Sequence, residues 1–188
     1  MANGTRLSGR KVAVFLAEGF EDLEFWVTVM RLREEGADVT VVGIAAGQTV
    51  RGKHALEATS DVAVKDVSAD DFDAVVVPGG WAPDKLRRYE EVTSLVAKAY
   101  GQGKIVGLIC HAGLVGISAG IVGGHRATGS LGIKDDLVNA GATWVDEPAF
   151  RDGAIVWGRV VEDIPDFCRE LVAAIADNAE RVTGIEPA

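Results

Sequence analysis

Cysteine is scarce in this chain. Only Cys110 and Cys168 occur in 188 residues, so no disulfide framework holds the fold together, and a chain of this length needs none. Histidine is nearly as rare. His54 and His125 fall in expected loops without the spacing of metal ligands, so no metal site is expected. Basic residues are outnumbered, 19 against 28 acidic ones, and the net charge of -9 repels phosphate backbones and anionic lipid. Nucleic acid is therefore not an expected partner. Long apolar runs are missing as well. The first ten residues are polar and the first apolar run, 12–17, is too short for a signal peptide, while nothing reaches membrane-spanning length. The expectation is a cytoplasmic protein with no membrane partner, in a compartment that keeps thiols reduced. Internal repeats, low-complexity tracts and linkers are also absent.

What remains is the composition of a soluble globular domain, 48% hydrophobic and 25% charged. A chain this long buries roughly 70% of the surface its unfolded form exposes. One domain is expected over 1–188, with a polar extension at 1–10 and a core from about 11 to 182. Short apolar runs alternate with amphipathic ones, the pattern of crossover units in a mostly parallel, doubly wound sheet. Strands are expected at 12–17, 39–44, 74–77, 105–109, 143–145 and 154–157, with a small ribbon between 48 and 67. Helices are expected at 20–35, from Pro83 to about Tyr100, at 112–119, around 135–139 and from about 164 to 182. In the first helix, Leu23, Trp26, Val27, Met30 and Leu32 supply most of the apolar stripe.

In such a fold the loops at the carboxyl ends of the strands form the binding crevice. That rule collects residues 18–24, 79–84 and the pair Cys110-His111. Cys110 ends an apolar strand and turns at once into a helix, where unpaired N–H groups and the helix dipole favour a thiolate, the nucleophilic form of sulfur. Cys168 falls on the stripe Ile164, Phe167, Leu171, Ile175 and reads as core. Without further context, Glu24 reads as a solvated helix residue and Asp84 as a complement to a helix dipole. Trp81 and Trp157 read as pocket walls or as core or interface filling.

The runs Gly19-Phe20-Glu21-Asp22-Leu23-Glu24, Phe72-Asp73-Ala74-Val75-Val76-Val77-Pro78-Gly79-Gly80-Trp81-Ala82-Pro83-Asp84 and Ile109-Cys110-His111 together resemble the PfpI branch of the ThiJ/PfpI superfamily. The segments 135–142 and 163–167 fit it too, so the resemblance covers about residues 10 to 178. It implies a flavodoxin-like three-layer sandwich with a cysteine nucleophile at a strained elbow, and no cofactor. By position, Cys110 is the implied nucleophile and His111 its base or thiolate partner. Asp84 is the acid that reaches the histidine across a subunit interface, so a homodimer or higher homo-oligomer is implied. Glu24 is the carboxylate beside the sulfur and Glu21 a neighbouring acid. Gly80 and His111 supply the oxyanion N–H groups. This chain departs from the pattern at Ala112-Gly113, where the family has Gly-Pro, and at 156–161, where Arg159 is kept but Trp157 stands nearby.

The resemblance implies a cysteine hydrolase acting on small peptides. An alternative use of the same sulfur is addition to an aldehyde such as methylglyoxal, or action on glycated substrates, with Glu24 or His111 shuttling protons to give lactate. A third is a redox-sensing or chaperone-like stress protein in which Cys110 is oxidised reversibly. No His-x-Glu pair follows Cys110 as a glutamine amidotransferase requires, and Ala17-Glu18-Gly19-Phe20 is too acidic to cradle a flavin phosphate.

Overall fold

The apolar runs become the centre of a seven-stranded sheet because strands covered on both faces tolerate no polar side chain. The structure, a computed structural model, describes residues 6–183, with side chains to Asn178. The chain runs β1 (Lys11–Phe15), α1 (Asp22–Glu34), β2 (Asp38–Gly43), β3 (Thr49–Arg51), β4 (Glu57–Thr59), β5 (Val62–Ala63), β6 (Ala74–Val77), α2 (Ala82–Leu86), α3 (Glu90–Gly101), β7 (Ile105–Ile109), α4 (Gly113–Ser118), β8 (Arg126–Ala127), α5 (Lys134–Asn139), β9 (Thr143–Trp144), β10 (Ala149–Asp152), β11 (Ile155–Gly158) and α6 (Ile164–Thr183). The sheet order is β5-β2-β1-β6-β7-β11-β10, parallel except for the β10–β11 hairpin at one edge. Helices α1 and α6 pack together on one face, and α3 and α4 cover the other. This is the mostly parallel, doubly wound α/β sandwich that the alternation of runs implies. Among the described residues no helix is long and apolar enough to cross a membrane.

Four local features differ from expectation. The helix expected from Pro83 to Tyr100 is two helices, broken where Tyr89 is extended. A continuous helix would set Leu86 and Leu95 half a turn apart, and the break lets both enter the core. Strand β10 is an addition that carries a single buried side chain, Phe150, too little for an apolar signal. The short strand β9 pairs with β8 outside the main sheet. Finally, α1 presents a different stripe: Phe25, Val29 and Leu32 are buried, whereas Leu23, Val27 and Met30 face solvent. Both sides of that helix carry apolar residues, so periodicity alone does not fix its rotation.

Of the polar extension at 1–10, residues 1–5 lie outside the described residues. Arg6–Gly9 form a turn that buries Leu7 completely, and the Leu7 N–H donates to the Glu35 carbonyl at 2.9 Å.

Candidate active site

The sheet reverses its strand order between β1 and β6, and the crevice at such a switch point opens beyond their carboxyl ends. The two loops there are joined through their main chains. Phe20 and Gly80 form an antiparallel bridge, the Glu21 N–H donates to the Gly79 carbonyl at 3.1 Å, and the Trp81 N–H donates to the Gly19 carbonyl at 2.7 Å. Gly80 has φ +76°, and a Cβ on it would lie 2.5 Å from the Glu21 nitrogen. A Cβ on Gly79 would lie 2.5 Å from Glu24 Oε2 and 2.7 Å from Cys110 Cβ. Glycine is the one residue these two positions accommodate.

Glu21 is the N-cap of α1. Its carboxylate accepts the N–H groups of Leu23 at 2.9 Å and Glu24 at 2.8 Å, which starts the helix where Glu24 points inward. Glu24 is fully buried. Its Oε2 accepts the Gly79 N–H at 2.7 Å, and its Oε1 has no hydrogen-bond partner. Burial pushes the Glu24 carboxyl up to about 7, and the charge of Glu21 adds to that, against the opposing effect of the Gly79 N–H.

Cys110 leaves β7 with φ +61°, a left-handed conformation that costs an L-residue about 1 kcal/mol or more. The loop beyond α4 holds this elbow: the Ser130 N–H donates to the Cys110 carbonyl at 3.1 Å, and a Cβ on Gly129 would come within 2.6 Å of that oxygen. Sγ lies 3.3 Å from His111 Nδ1. The thiol is pushed up to about 12, first by burial and then by the neighbouring Glu24 carboxylate; the N–H groups of Gly80 and His111 act on the sulfur in the opposite sense without overcoming those causes. Burial and Glu24 thus oppose the thiolate that the strand-to-helix turn favours. Cys110 is followed by a 3₁₀ turn and a helix of only six residues, which gives little dipole. His111 adds no charge at neutral pH, because burial and then Lys53 lower its pKa.

The result is a thiol beside a buried carboxyl that titrates near neutrality. Such a pair releases its protons in steps that belong to both groups. Above about pH 7 the Glu24 carboxylate is able to accept a proton from the thiol, and the Gly80 and His111 N–H groups face the sulfur.

Above the sulfur is a cavity of about 280 Å³ whose lining includes Glu21, Gly80, Trp81, Cys110 and His111. It also includes Lys53, Ser130, Val160, Val161 and Glu162, none of which the sequence singles out as site residues. Lys53 gives no signal beyond its place in a charged break between two short strands. A larger groove, about 320 Å³, lies between residues 64–69 and α3 and contains no cysteine or histidine.

Three expected site residues lie elsewhere. Asp84 is exposed on α2, pairs with Arg88 and does not line the cavity of its own chain. Trp157 is fully buried beneath Gly113 and is core, with Nε1 unpartnered. The Arg159 guanidinium turns away to Asp163 at 2.9 Å and Asp146 at 2.7 Å, leaving the cavity wall to Val160 and Val161. Cys168 lies in the core, 3.8 Å from Thr28 Oγ1. Among the described residues no group of three or more His, Cys, Asp or Glu is placed to hold a metal ion.

Residues 10–174 match the DJ-1/PfpI family. The chain is similar to deglycases of Pyrococcus abyssi and Pyrococcus horikoshii, 41% and 40% identical over 162 residues, which is 86% of this chain and 97% of each relative. Among solved structures it is similar to a two-domain protein of Anabaena variabilis with DJ-1/ThiJ/PfpI-like and ferritin-like domains. The TM-score is 0.86 at 35% identity, over 87% of this chain and 47% of that longer one.

Proposed function

The chain belongs to the DJ-1/PfpI family, and on that premise we propose that it is a cysteine-dependent deglycase, releasing amines from adducts with α-oxoaldehydes such as methylglyoxal. The observation that carries the proposal is Glu24: a buried carboxyl raised to about 7, beside Cys110, with one oxygen fixed by Gly79 and the other unpartnered. The names of the deglycase relatives support the same reading.

The chemistry needs repeated proton transfers at one sulfur. Sγ replaces the amine on the carbinol carbon: a C–S bond forms, the C–N bond breaks, and the thiol proton passes through Glu24 to the departing nitrogen. A proton then moves from that carbon to its oxidised neighbour by way of an enediol, so one carbon is oxidised to a thioester while the next is reduced to an alcohol. No outside oxidant is consumed. Water cleaves the thioester, the hydroxy acid leaves, and the thiol regains its proton. The Glu24 carboxyl and His111 Nδ1 adjoin the sulfur for these transfers, and the Gly80 and His111 N–H groups receive the oxyanion.

Peptide hydrolysis is the second reading, favoured by the 3.3 Å Cys110–His111 contact beside two main-chain donors. In both readings Asp84, exposed on its own chain, serves a neighbouring copy in a homo-oligomer, and the protein works in the reducing cytoplasm. The test is incubation with the methylglyoxal adduct of Nα-acetyl-lysine, following free amine and lactate by NMR. Release of both by the wild type and by no Cys110→Ser sample is expected. Hydrolysis of fluorogenic peptides with the adduct untouched overturns the deglycase reading in favour of the peptidase.

A further inference from the structure

The turn between β3 and β4 is held with unusual care. Asp22 is almost completely buried, and its two oxygens accept the N–H groups of His54 at 2.7 Å and Leu56 at 2.8 Å. The Lys53 N–H donates to the Phe20 carbonyl at 2.8 Å, and the Gly19 N–H donates to the Arg51 carbonyl at 2.7 Å. A Cβ on Gly52 would lie 2.4 Å from Asp22 Oδ2, so the turn sits directly on that carboxylate. Ala55 has φ +73°, a strained conformation for alanine. Strain of this kind persists where the surroundings over-determine the backbone, and the side chain that this turn delivers to the cavity wall is Lys53.

Lys53 is the only lysine or arginine among the residues lining that cavity. Its ammonium forms no ion pair among the described residues, whereas the adjacent Arg51 is taken by Glu57. It is near enough to the reacting groups for its charge to act on both Glu24 and His111. The backbone of this turn is held while the exposed Lys53 side chain stays unpaired, and of the charged groups lining the cavity, Glu21, Glu162 and Lys53, it is the one that attracts an anionic group of a substrate.

We propose that Lys53 binds a carboxylate carried by the substrate next to the reacting carbon, so that the preferred substrates are adducts of free α-amino acids rather than of amines lacking a nearby acid. The proposal rests on the deglycase reading for its substrate, while the recognition of an anion by Lys53 is measurable without it.

Two measurements on the full chain decide it. The first compares methylglyoxal adducts of alanine and alaninamide, which differ only in the charged carboxylate. The wild type favours the alanine adduct, and Lys53→Met lowers kcat/KM for that adduct about tenfold more than for the amide, with the difference residing in KM. Lys53→Arg restores the preference. The second is the ratio of Cys110 alkylation rates with iodoacetate and iodoacetamide, in which any change in thiol ionisation cancels. Lys53→Met lowers this ratio about fivefold at low salt, and added salt shrinks the effect. Urea midpoints of the variants establish that they fold. An unchanged alkylation ratio, or equal losses on both adducts, overturns the proposal. A wild type that consumes neither adduct while the alkylation ratio falls in Lys53→Met overturns the deglycase reading and leaves the anion site standing.

Discussion

Sγ of Cys110 lies 3.3 Å from Nδ1 of His111, the next residue in the chain. Neighbouring side chains seldom meet, and these two do so at the elbow where Cys110, with its left-handed φ, ends β7. His111 is neutral at pH 7, because burial lowers its pKa, so in the proposed reaction its ring is free to accept a proton from the sulfur. Replacing it with alanine is expected to lower kcat about 100-fold or more with little change in KM, as loss of a positioned proton carrier does. Steady-state kinetics on the lysine adduct check this.

Glu24 predicts a dependence of stability on pH. Its carboxyl ordinarily titrates at 4.5 and in the fold at about 7. Between those values the native state holds a proton that the unfolded chain has released, so stability falls as pH rises through this window. The displacement corresponds to at most about 3 kcal/mol. Urea unfolding at pH 5 and pH 8 is expected to show this loss in the wild type. In Glu24→Gln that part of the difference vanishes, and persistence of the full difference would contradict the assignment.

The same variant tests the sulfur. With the carboxylate gone, one of the causes that raise the Cys110 thiol is removed while burial remains. Iodoacetamide is therefore expected to alkylate Cys110 in Glu24→Gln faster than in the wild type at pH 8. A slower reaction would mean that Glu24 stabilises a resting thiolate.

Gly79→Ala forces a methyl group to within 2.5 Å of Glu24 Oε2 and 2.7 Å of Cys110 Cβ. Overpacking of this kind is expected to cost about 2 kcal/mol in urea unfolding. The larger effect is on turnover, because the intruding carbon displaces the nucleophile and its proton acceptor together.

Asp84 is tested by dilution. An activity that depends on a neighbouring copy falls as the oligomer dissociates, and Asp84→Asn is expected to lower kcat about tenfold without altering the light-scattering mass. A fully active monomer removes Asp84 from the reaction.

The layered architecture was legible because buried parallel strands are written as uninterrupted apolar runs, as at Ala74–Val77 and Ile105–Ile109. The carboxyl-end rule then brought Glu21, Glu24, Gly80, Trp81, Cys110 and His111 to one crevice. Legibility ended where the deciding forces are tertiary. The rotation of α1 depends on which of two apolar sides meets the sheet, and Arg159 turns to Asp163, four residues on, and to Asp146, to which no spacing rule connects it. The helix start beside Cys110 is visible in the chain, whereas the burial of its sulfur and the nearness of Glu24 are not. Nothing local marks Lys53, whose turn is held by a distant buried aspartate.

The bridge between Phe20 and Gly80 has a consequence for descent. Because the chain's own amides align the Gly80 donor with the sulfur, its aim does not depend on the identity of the side chains around it. Substitutions at Trp81, Ser130 and Glu162, which line the cavity, are expected to change what enters it while leaving that alignment in place.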